Sequence, residues 1–286
     1  MQDNGITVIS DPGVDDLVAL ALIDVLTPGV PKQLVSTYGN IRAEDTATNA
    51  RAFVAAMGED WSYRRGADMP ISGLEPKAWR DGSKGKNGVW GIQPPAVRTC
   101  LPATDVANSS LVFSLATMTE TLAVLNSTKP AGLCVMAGDF SPQGLPELNA
   151  RMDPAATKAV LENGRLDQFR LVGGDVCEAV YWDEATVRSI PENNANCTWI
   201  KRLLIAGFDN GTYTAGEPFV LYDPLAVYLW YKPGAAIWTK QAISVDANGR
   251  TRYAELGRER LVAQTLKQPE AISREIYNLI FMRTSL

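Results

Sequence analysis

Histidine is absent from the whole 286-residue chain. Its absence excludes Ser-His-Asp and Cys-His nucleophile systems, the HExxH zinc site and any histidine general base. Asp and Glu together number 32. We therefore expect carboxylates to carry any acid–base chemistry.

Cysteine is scarce as well. The four residues are widely spaced, form no Cys-x-x-Cys pair and have no histidine with which to share a zinc ion. We expect reduced, structural cysteines at all four positions, which are Cys100, Cys134, Cys177 and Cys197.

Long apolar runs and basic stripes are also missing. No run approaches the roughly 20 residues of a membrane span, and MQDNGITVIS lacks the basic and apolar regions of a signal peptide. The net charge of −5 and the scattered Lys and Arg do not favour nucleic acid. We expect a cytoplasmic protein with no nucleic-acid or membrane partner. Secretion is the alternative, because Asn-x-Ser/Thr tripeptides begin at Asn108, Asn126, Asn196 and Asn210.

Short β-rich runs alternate with helix-like segments along much of the chain, from ITVI followed by DDLVALALIDVL to DPAATKAVLENG followed by FRLVGGDV. This alternation is typical of βαβ units with right-handed crossovers. It predicts an α/β fold, with an open, mostly parallel β-sheet flanked by helices in a Rossmann-like arrangement. We expect a single domain over residues 1–286.

One stretch departs from this alternation. Residues 71–95, ISGLEPKAWRDGSKGKNGVWGIQPP, are rich in Gly, Pro and Lys and contain two tryptophans. This composition predicts a long loop rather than a linker between domains. Long loops often cover active sites, so we expect this one to lie over the site.

Three carboxylates crowd the junction of the first strand and helix, in ISDPGVDDLVAL. Pro12 and Gly13 permit a tight turn that brings Asp11 close to Asp15 and Asp16. Two acids in a first helical turn complement the helix dipole by about 0.3–1 kcal/mol each. A third carboxylate nearby adds repulsion that a cation would relieve. Oxygen ligands alone favour Ca²⁺ or Mg²⁺ over zinc, and Ca²⁺ tolerates irregular sites better.

Other polar residues follow predicted strands or begin predicted helices. Asn40 and Thr119 come after two further strands, and in parallel sheets ligands bind beyond the carboxyl ends of the strands. Asp223, in FVLYDPLAVYLW, precedes a proline at the start of an apolar helical pattern. Asp-Pro alone is an ordinary helix start, but here it repeats the chemistry of the first motif.

Five segments together resemble the nucleoside hydrolases, the Ca²⁺-dependent nucleoside N-ribohydrolases. They are SDPGVDDLVALAL, STYGN, LATMTETLAVL, ELNARMDPAATKAVLENG and YDPLAV, and they occur in the family's order between Ile6 and about Val227. The resemblance implies the nucleoside hydrolase fold, commonly as a homodimer or homotetramer, and a role in purine salvage. It implies hydrolysis of the N-glycosidic bond of ribonucleosides to free base and ribose.

By position, the resemblance assigns the metal site and the general base. Asp11 would contact the calcium ion and accept a proton from a water bound to it. Asp16, the backbone carbonyl of Thr119 and Asp223 would complete the protein ligands.

The resemblance also assigns residues to the ribose. Asp15 would accept hydrogen bonds from its hydroxyls, with Asn40, Glu147 and Asn149. Ser141 falls near the asparagine that reaches the 5′-hydroxyl in the family, in a shortened loop. Ordinary turn and loop polarity is the competing interpretation of Asn40, Glu147 and Asn149.

The leaving base is where the chain departs most from the family. Pyrimidine-tolerant members have histidine before the late aspartate, and this chain has Tyr222. The purine-preferring inosine-adenosine-guanosine branch lacks that histidine too and uses aromatic stacking. The PKAWR segment resembles its tryptophan loop, so we expect Trp79 and Tyr222 to stack on a purine. Trp90 and Trp182 are the alternatives to Trp79.

Two other family positions are altered, with Ile9 in place of an aspartate and Glu120 in place of an asparagine. These changes leave open a degenerate member that binds a nucleoside or ribosyl compound without turnover. An Mg²⁺-dependent aspartate phosphotransferase with Asp11 as nucleophile is a further alternative. It would need a second aspartate two residues later, where the chain has Gly13.

Overall fold

The computed structural model describes residues 5–74, 87–92, 109–162, 166, 168–213 and 216–282. The strands are β1 (Ile6–Ser10), β2 (Lys32–Ser36), β3 (Trp61–Arg65), β4 (Leu111–Ser114), β5 (Gly132–Met136), β6 (Gln168–Val172), β7 (Tyr181–Trp182), β8 (Phe219–Val220), β9 (Ala236–Val245), β10 (Thr251–Ala254) and β11 (Glu259–Leu266). The helices are α1 (Val14–Leu26), α2 (Ala43–Met57), α3 (Met118–Ser127), α4 (Leu148–Met152), α5 (Pro154–Glu162), α6 (Gly174–Cys177), α7 (Glu184–Arg188), α8 (Ala195–Asp209), α9 (Tyr222–Tyr231) and α10 (Pro269–Tyr277).

Nine of these strands form one sheet in the order β10-β9-β11-β6-β5-β4-β1-β2-β3. Strands β1 to β6 and β11 pair in parallel, and β9 pairs antiparallel with both β10 and β11. The predicted α/β fold with a mostly parallel sheet is therefore confirmed. The strand order reverses beside β1, since the chain builds β2 and β3 on one side and later places β4 on the other. Such a reversal opens a crevice at the carboxyl ends of the strands.

The central strands and α1 are apolar because they are covered on all sides. Every residue of β1, β2, β4 and β5 is buried, as expected for parallel strands with helices on both faces. In α1, every residue from Val14 to Ile23 except Asp15 is buried, because the helix packs along α9 and against α8 and shares a core cluster with residues of the central strands. A helix buried this fully brings its first turn, with its acids, into the interior.

The sequence analysis did not identify the antiparallel strands β9 and β10. Strand β9 mixes exposed and buried positions, with the pattern of a partly solvated antiparallel strand. The C-terminal helix α10 is amphipathic and buries Ile272 and Ile276. A single π turn, Asn278–Met282, follows it.

Two other expectations concern cysteines and membrane spans. Three cysteines are free and buried, namely Cys134, Cys177 and Cys197, and Cys100 lies outside the described residues. None of the described helices combines the length and apolar character needed to cross a bilayer.

Candidate active site

A tight turn carries the chain from β1 into α1, and the Asp16 carboxylate holds it closed. Asp16 Oδ1 accepts hydrogen bonds from Ser10 Oγ at 2.5 Å and from the Asp11 backbone N–H at 3.2 Å. Its Oδ2 accepts the Gly13 backbone N–H at 2.9 Å. The Asp16 carboxylate oxygens thus satisfy two backbone N–H groups just before the helix. Asp16 is therefore fixed in orientation, with 1% of its surface exposed.

The carboxylates of Asp15, Asp16 and Asp223 converge at the carboxyl edge of the sheet. One oxygen from each lies within 4.8 Å of the others. Asp15 and Asp16 belong to the first turn of α1 and Asp223 to the first turn of α9, and packing of α1 along α9 brings these turns together. The positive ends of two helix dipoles favour anionic groups at this place. Three oxygen ligands so close together have the chemistry of a hard divalent cation site.

Asp11 lies beside this group and has a separate contact. Its carboxylate accepts the backbone N–H of Asn40, and it packs against Gly39, where any Cβ would overlap Asp11. Glycine is required there because the chain after β2 passes directly over the carboxylate. Among the described residues, Asp11 is not part of the three-carboxylate group. Its predicted contact with the metal stays a prediction.

Thr119 lies in the first turn of α3. Its hydroxyl is 2.7 Å from the Tyr38 hydroxyl and donates to Asp153 Oδ2 at 2.7 Å. Thr119 is thus beside the loop that carries Asn40. The predicted metal ligand is its backbone carbonyl, and that role stays a prediction.

Glu147 and Asn149 are bonded to the backbone at neighbouring strand ends. Glu147 accepts the N–H groups of Gly138 at 2.9 Å, Asn149 at 2.8 Å and Ala150 at 3.1 Å. Burial raises the pKa of Glu147, and these donors oppose that shift. Asn149 Nδ2 donates to the carbonyl of Met136 at 3.1 Å. Both side chains therefore support the ends of the strands, and their predicted contacts with ribose stay predictions.

Ser141 is exposed in the loop after β5. Its backbone N–H donates to Asp139 Oδ1 at 2.9 Å. Its predicted place at the 5′ end of the sugar stays a prediction.

Tyr222 precedes Asp223 and is half-buried beside Glu147. A Cβ added to Gly174 would lie 3.5 Å from Glu147 Cγ and 3.9 Å from Tyr222 Cε1, so both side chains flank this glycine. Burial first, and the charge of Glu178 second, raise the pKa of Tyr222 to about 12. The phenol therefore keeps its proton at neutral pH.

Three tryptophans were candidates for stacking on the base, and their positions in the structure differ. Trp79 lies outside the described residues, as does most of the 71–95 loop. Trp182 is 1% exposed and packs on Phe219 and Phe281, so the alternative that Trp182 stacks on a base is wrong. Trp90 is partly buried against the core.

Two positions that differ from the family have structural roles, and one buried tyrosine was missed. Ile9 is fully buried in the core. Glu120 pairs with Arg64 at 2.6 Å and accepts the Ala67 N–H at 2.8 Å. The segment STYGN was assigned to the end of the second strand and Tyr38 was overlooked, although a tyrosine two residues after a buried strand is a usable signal.

The mostly parallel α/β sheet carries three converging carboxylates at its carboxyl edge. The fold alone does not define a reaction, and the sequence family supplies the class, which is that of hydrolases acting on N-glycosyl compounds. The family of inosine-uridine preferring nucleoside hydrolases matches residues 7–273. The chain belongs to this family, which confirms the resemblance and the assignment as an enzyme that hydrolyses N-glycosyl bonds.

Similar proteins cover nearly the whole chain. The non-specific ribonucleoside hydrolase RihC of Klebsiella pneumoniae is 26% identical over 274 residues, which are 84% of this chain and 88% of the relative. A plant nucleoside hydrolase superposes with a TM-score of 0.83 at 17% identity, covering 98% of this chain and 100% of its own. A purine-preferring ribonucleoside hydrolase from Gardnerella vaginalis has a TM-score of 0.79 at 18% identity, with coverage of 98% and 100%. At such identities these two structures establish the shared fold.

Proposed function

We propose that the protein is a Ca²⁺-dependent nucleoside N-ribohydrolase with a preference for purine nucleosides, cleaving them to free base and ribose. One observation carries this proposal: the carboxylates of Asp15, Asp16 and Asp223 meet within 4.8 Å at the crevice beside β1. Three like charges at this distance disfavour one another unless a cation lies among them. The enzyme would act in nucleoside salvage as a homodimer or homotetramer.

The residues present fit a calcium ion. The donor set consists of carboxylate oxygens, which Ca²⁺ and Mg²⁺ prefer, and Ca²⁺ accepts irregular geometry with six to eight ligands. Asp16 and Asp223 would hold the ion with Asp11 and the Thr119 carbonyl. A bound Ca²⁺ would lower the pKa of water and orient it toward the anomeric carbon.

The protein's own groups would do the remaining work. Asp11 would accept a proton from the attacking water, with its carboxylate oriented by the Asn40 N–H. Asp15 is the half-buried member of the three-carboxylate group, and it would accept hydrogen bonds from the ribose hydroxyls. Cleavage passes through an oxocarbenium-like sugar, so carboxylates facing the ring stabilise the developing positive charge.

Purine preference is supported by the residue at the base end of the site. Tyr222 replaces the histidine of pyrimidine-tolerant members, and as a protonated, half-buried ring it would stack on a purine with Trp79. Stacking favours the larger aromatic base. The protein of the same fold from Gardnerella vaginalis is a purine-preferring ribonucleoside hydrolase.

The test is release of ribose and free base from inosine, guanosine, adenosine, uridine and cytidine, with and without a chelator. We expect purine-selective release that the chelator abolishes and added Ca²⁺ restores. Asp11→Asn should lower kcat by about 10²- to 10⁴-fold, because a positioned general base contributes that much.

Asp60→Asn is the matched control, because it removes an exposed carboxylate just before β3, at the opposite edge of the sheet. It should leave kcat unchanged. If the protein binds calcium but releases ribose from no nucleoside, the proposed hydrolase activity is wrong. The remaining interpretation is then a family member that binds a nucleoside or ribosyl compound without turnover. Chelator-resistant release would overturn the metal dependence alone.

A further inference from the structure

A chain of three hydrogen-bonded side chains runs behind the candidate site, and of these Tyr38 and Asp153 are buried and Thr119 is half-buried. The Tyr38 hydroxyl lies 2.7 Å from Thr119 Oγ1, and Thr119 Oγ1 donates to Asp153 Oδ2 at 2.7 Å. The three residues come from the loop after β2, the first turn of α3 and the residue before α5. The chain therefore joins three elements at the carboxyl edge of the sheet.

The direction of these hydrogen bonds follows from the number of protons. The Thr119 hydroxyl has one hydrogen, which it gives to the Asp153 carboxylate. Tyr38 must then donate its own hydrogen to Thr119 Oγ1. Asp153 also accepts the backbone N–H groups of Ile71 at 2.8 Å and Ala156 at 3.0 Å, which fix the end of the chain.

Tyr38 is adjacent in sequence to the backbone that contacts Asp11. Its ring is 0% exposed, and its backbone N–H donates to the Ala67 carbonyl at 3.2 Å. Gly39 and Asn40 follow at once, and Asn40 donates its backbone N–H to the Asp11 carboxylate. A shift of the Tyr38 side chain would therefore move the donor that orients Asp11.

We propose that Tyr38 is a positioning residue, whose hydroxyl anchors the 38–40 loop through Thr119 and Asp153 and thereby sets the orientation of the Asp11 carboxylate. The proposal rests on the proposed function, in which Asp11 accepts the proton. A phenylalanine would fill the same volume without burying a hydroxyl that needs a partner. The Tyr38 hydroxyl is therefore not needed for packing. Its hydrogen bond fixes the position of the 38–40 loop, which packing of the ring alone would not do.

Tyr38→Phe removes this anchor and keeps the ring. We expect kcat for ribose release to fall by about 10- to 100-fold with KM little changed, because small displacements of reacting groups have effects of this size. Amide hydrogen exchange supplies a readout that does not depend on activity. Exchange at the Asn40 N–H should become at least about 10-fold faster as the loop opens locally more often.

Tyr228→Phe is the matched control. Tyr228 is also buried, and its hydroxyl donates to Glu275 Oε2 at 2.6 Å, so the variant loses one comparable bond. We expect Tyr228→Phe to lower the melting temperature similarly, with kcat and Asn40 exchange unchanged. If Tyr38→Phe melts below the assay temperature, Thr119→Val breaks the same chain with an isosteric side chain and takes its place.

The outcomes separate the two proposals. Equal kcat in the Tyr38→Phe and Tyr228→Phe variants, or unchanged exchange at Asn40, overturns the positioning role. If the wild-type protein releases no ribose from any nucleoside, the proposed function fails, and Asn40 exchange alone decides whether Tyr38 positions the loop.

Discussion

At the amino edge of the sheet a buried ammonium lies among opposite charges, whereas at the carboxyl edge three carboxylates face one another. Lys32, whose side chain is 0% exposed, donates to the Val30 carbonyl at 2.9 Å. Its Nζ lies 3.6 Å from Asp24 and 3.9 Å from Asp60, and 5.6 Å from the centre of the Trp61 ring. Each of these four contacts favours the positive charge of Lys32.

The carboxyl edge has the opposite character. Asp15, Asp16 and Asp223 come from two helices and carry the same charge within 4.8 Å. Their mutual repulsion lowers the stability of the fold unless a cation reduces it. Carboxylates that the fold holds together despite their repulsion indicate a site selected for binding. Lys32 and its partners of opposite charge indicate a site selected for stability.

The strongest test of this comparison is Asp223→Asn. Replacing one of the converging carboxylates by a neutral amide should weaken Ca²⁺ binding by at least about 100-fold. Ca²⁺ should raise the melting temperature of the wild-type protein, since a ligand that binds only the folded state stabilises it, and should leave the variant unchanged. Without metal, the variant should melt at or above the wild-type temperature because one like charge is gone.

Calorimetric titration with Ca²⁺ and thermal denaturation with and without a chelator measure both parts. Asp60→Asn, which removes an exposed carboxylate from the other edge, should keep the wild-type response to Ca²⁺. A metal-free Asp223→Asn protein that melts several degrees below wild type would mean that Asp223 is structural and that the two edges do not differ in the way described.

The sequence predicted the sheet and the acidic turn because both depend on local patterns. Strands buried on two faces are short apolar runs, and the change from ITVIS to a helical period after Asp11 marks the β1–α1 junction. Asp223 was identified by its Asp-Pro step at a helix start and by its likeness to the family motif. Its approach to α1 could not be predicted, because it depends on packing between helices that are distant in sequence.

What the sequence could not predict are contacts between residues far apart along the chain. Glu120 replaces an asparagine of the family, and its partner Arg64 is 56 residues away. The hydrogen bond from Asn149, in α4, to the Met136 carbonyl, at the end of β5, depends on the folded positions of separate elements. The same holds for the bond between Tyr38, in the loop after β2, and Thr119, in α3. The residue types at these positions predict polar side chains. Their hydrogen-bond and ion-pair partners are defined only by the folded structure.

At the amino edge, Lys32→Met should lower the stability of the fold without affecting catalysis. The methionine fills a similar volume but lacks the bond to Val30 and the attraction to Asp24 and Asp60. We expect the free energy of unfolding in urea to fall by about 1–3 kcal/mol, with kcat within about two-fold of wild type. The exposed partner gives the control, since Asp60→Asn should cost less than about 1 kcal/mol. A large loss of activity in Lys32→Met would contradict the separation of the edges.

The smallest expected effect concerns a carboxylate at the carboxyl edge, outside the three-carboxylate group. Asp175 lies in the first turn of α6, and its Oδ1 accepts the backbone N–H of Phe140 at 3.2 Å. Burial, and more weakly the charge of Asp139, raise the pKa of Asp175 above its usual 3.8. The folded state then holds this proton to higher pH than the unfolded state, so stability falls as pH rises through the interval above 3.8. Asp175→Asn keeps the acceptor without the charge and should melt above wild type at pH 7.

Asp246, at the turn after β9, makes the matched control because its shift has the opposite sign. The backbone N–H groups of Asn248 and Arg250 donate to its carboxylate and lower its pKa, so it stabilises the fold above the unfolded pKa and loses that contribution as pH falls. Asp246→Asn should therefore melt below wild type at pH 7. Melting temperatures measured from pH 3 to pH 8 should converge for all three proteins at the acid end and diverge in opposite directions toward neutrality. If both variants shift the melting temperature in the same direction, burial does not govern the pKa of Asp175. In that case isolated carboxylates at the carboxyl edge are as well accommodated as the charges at the amino edge.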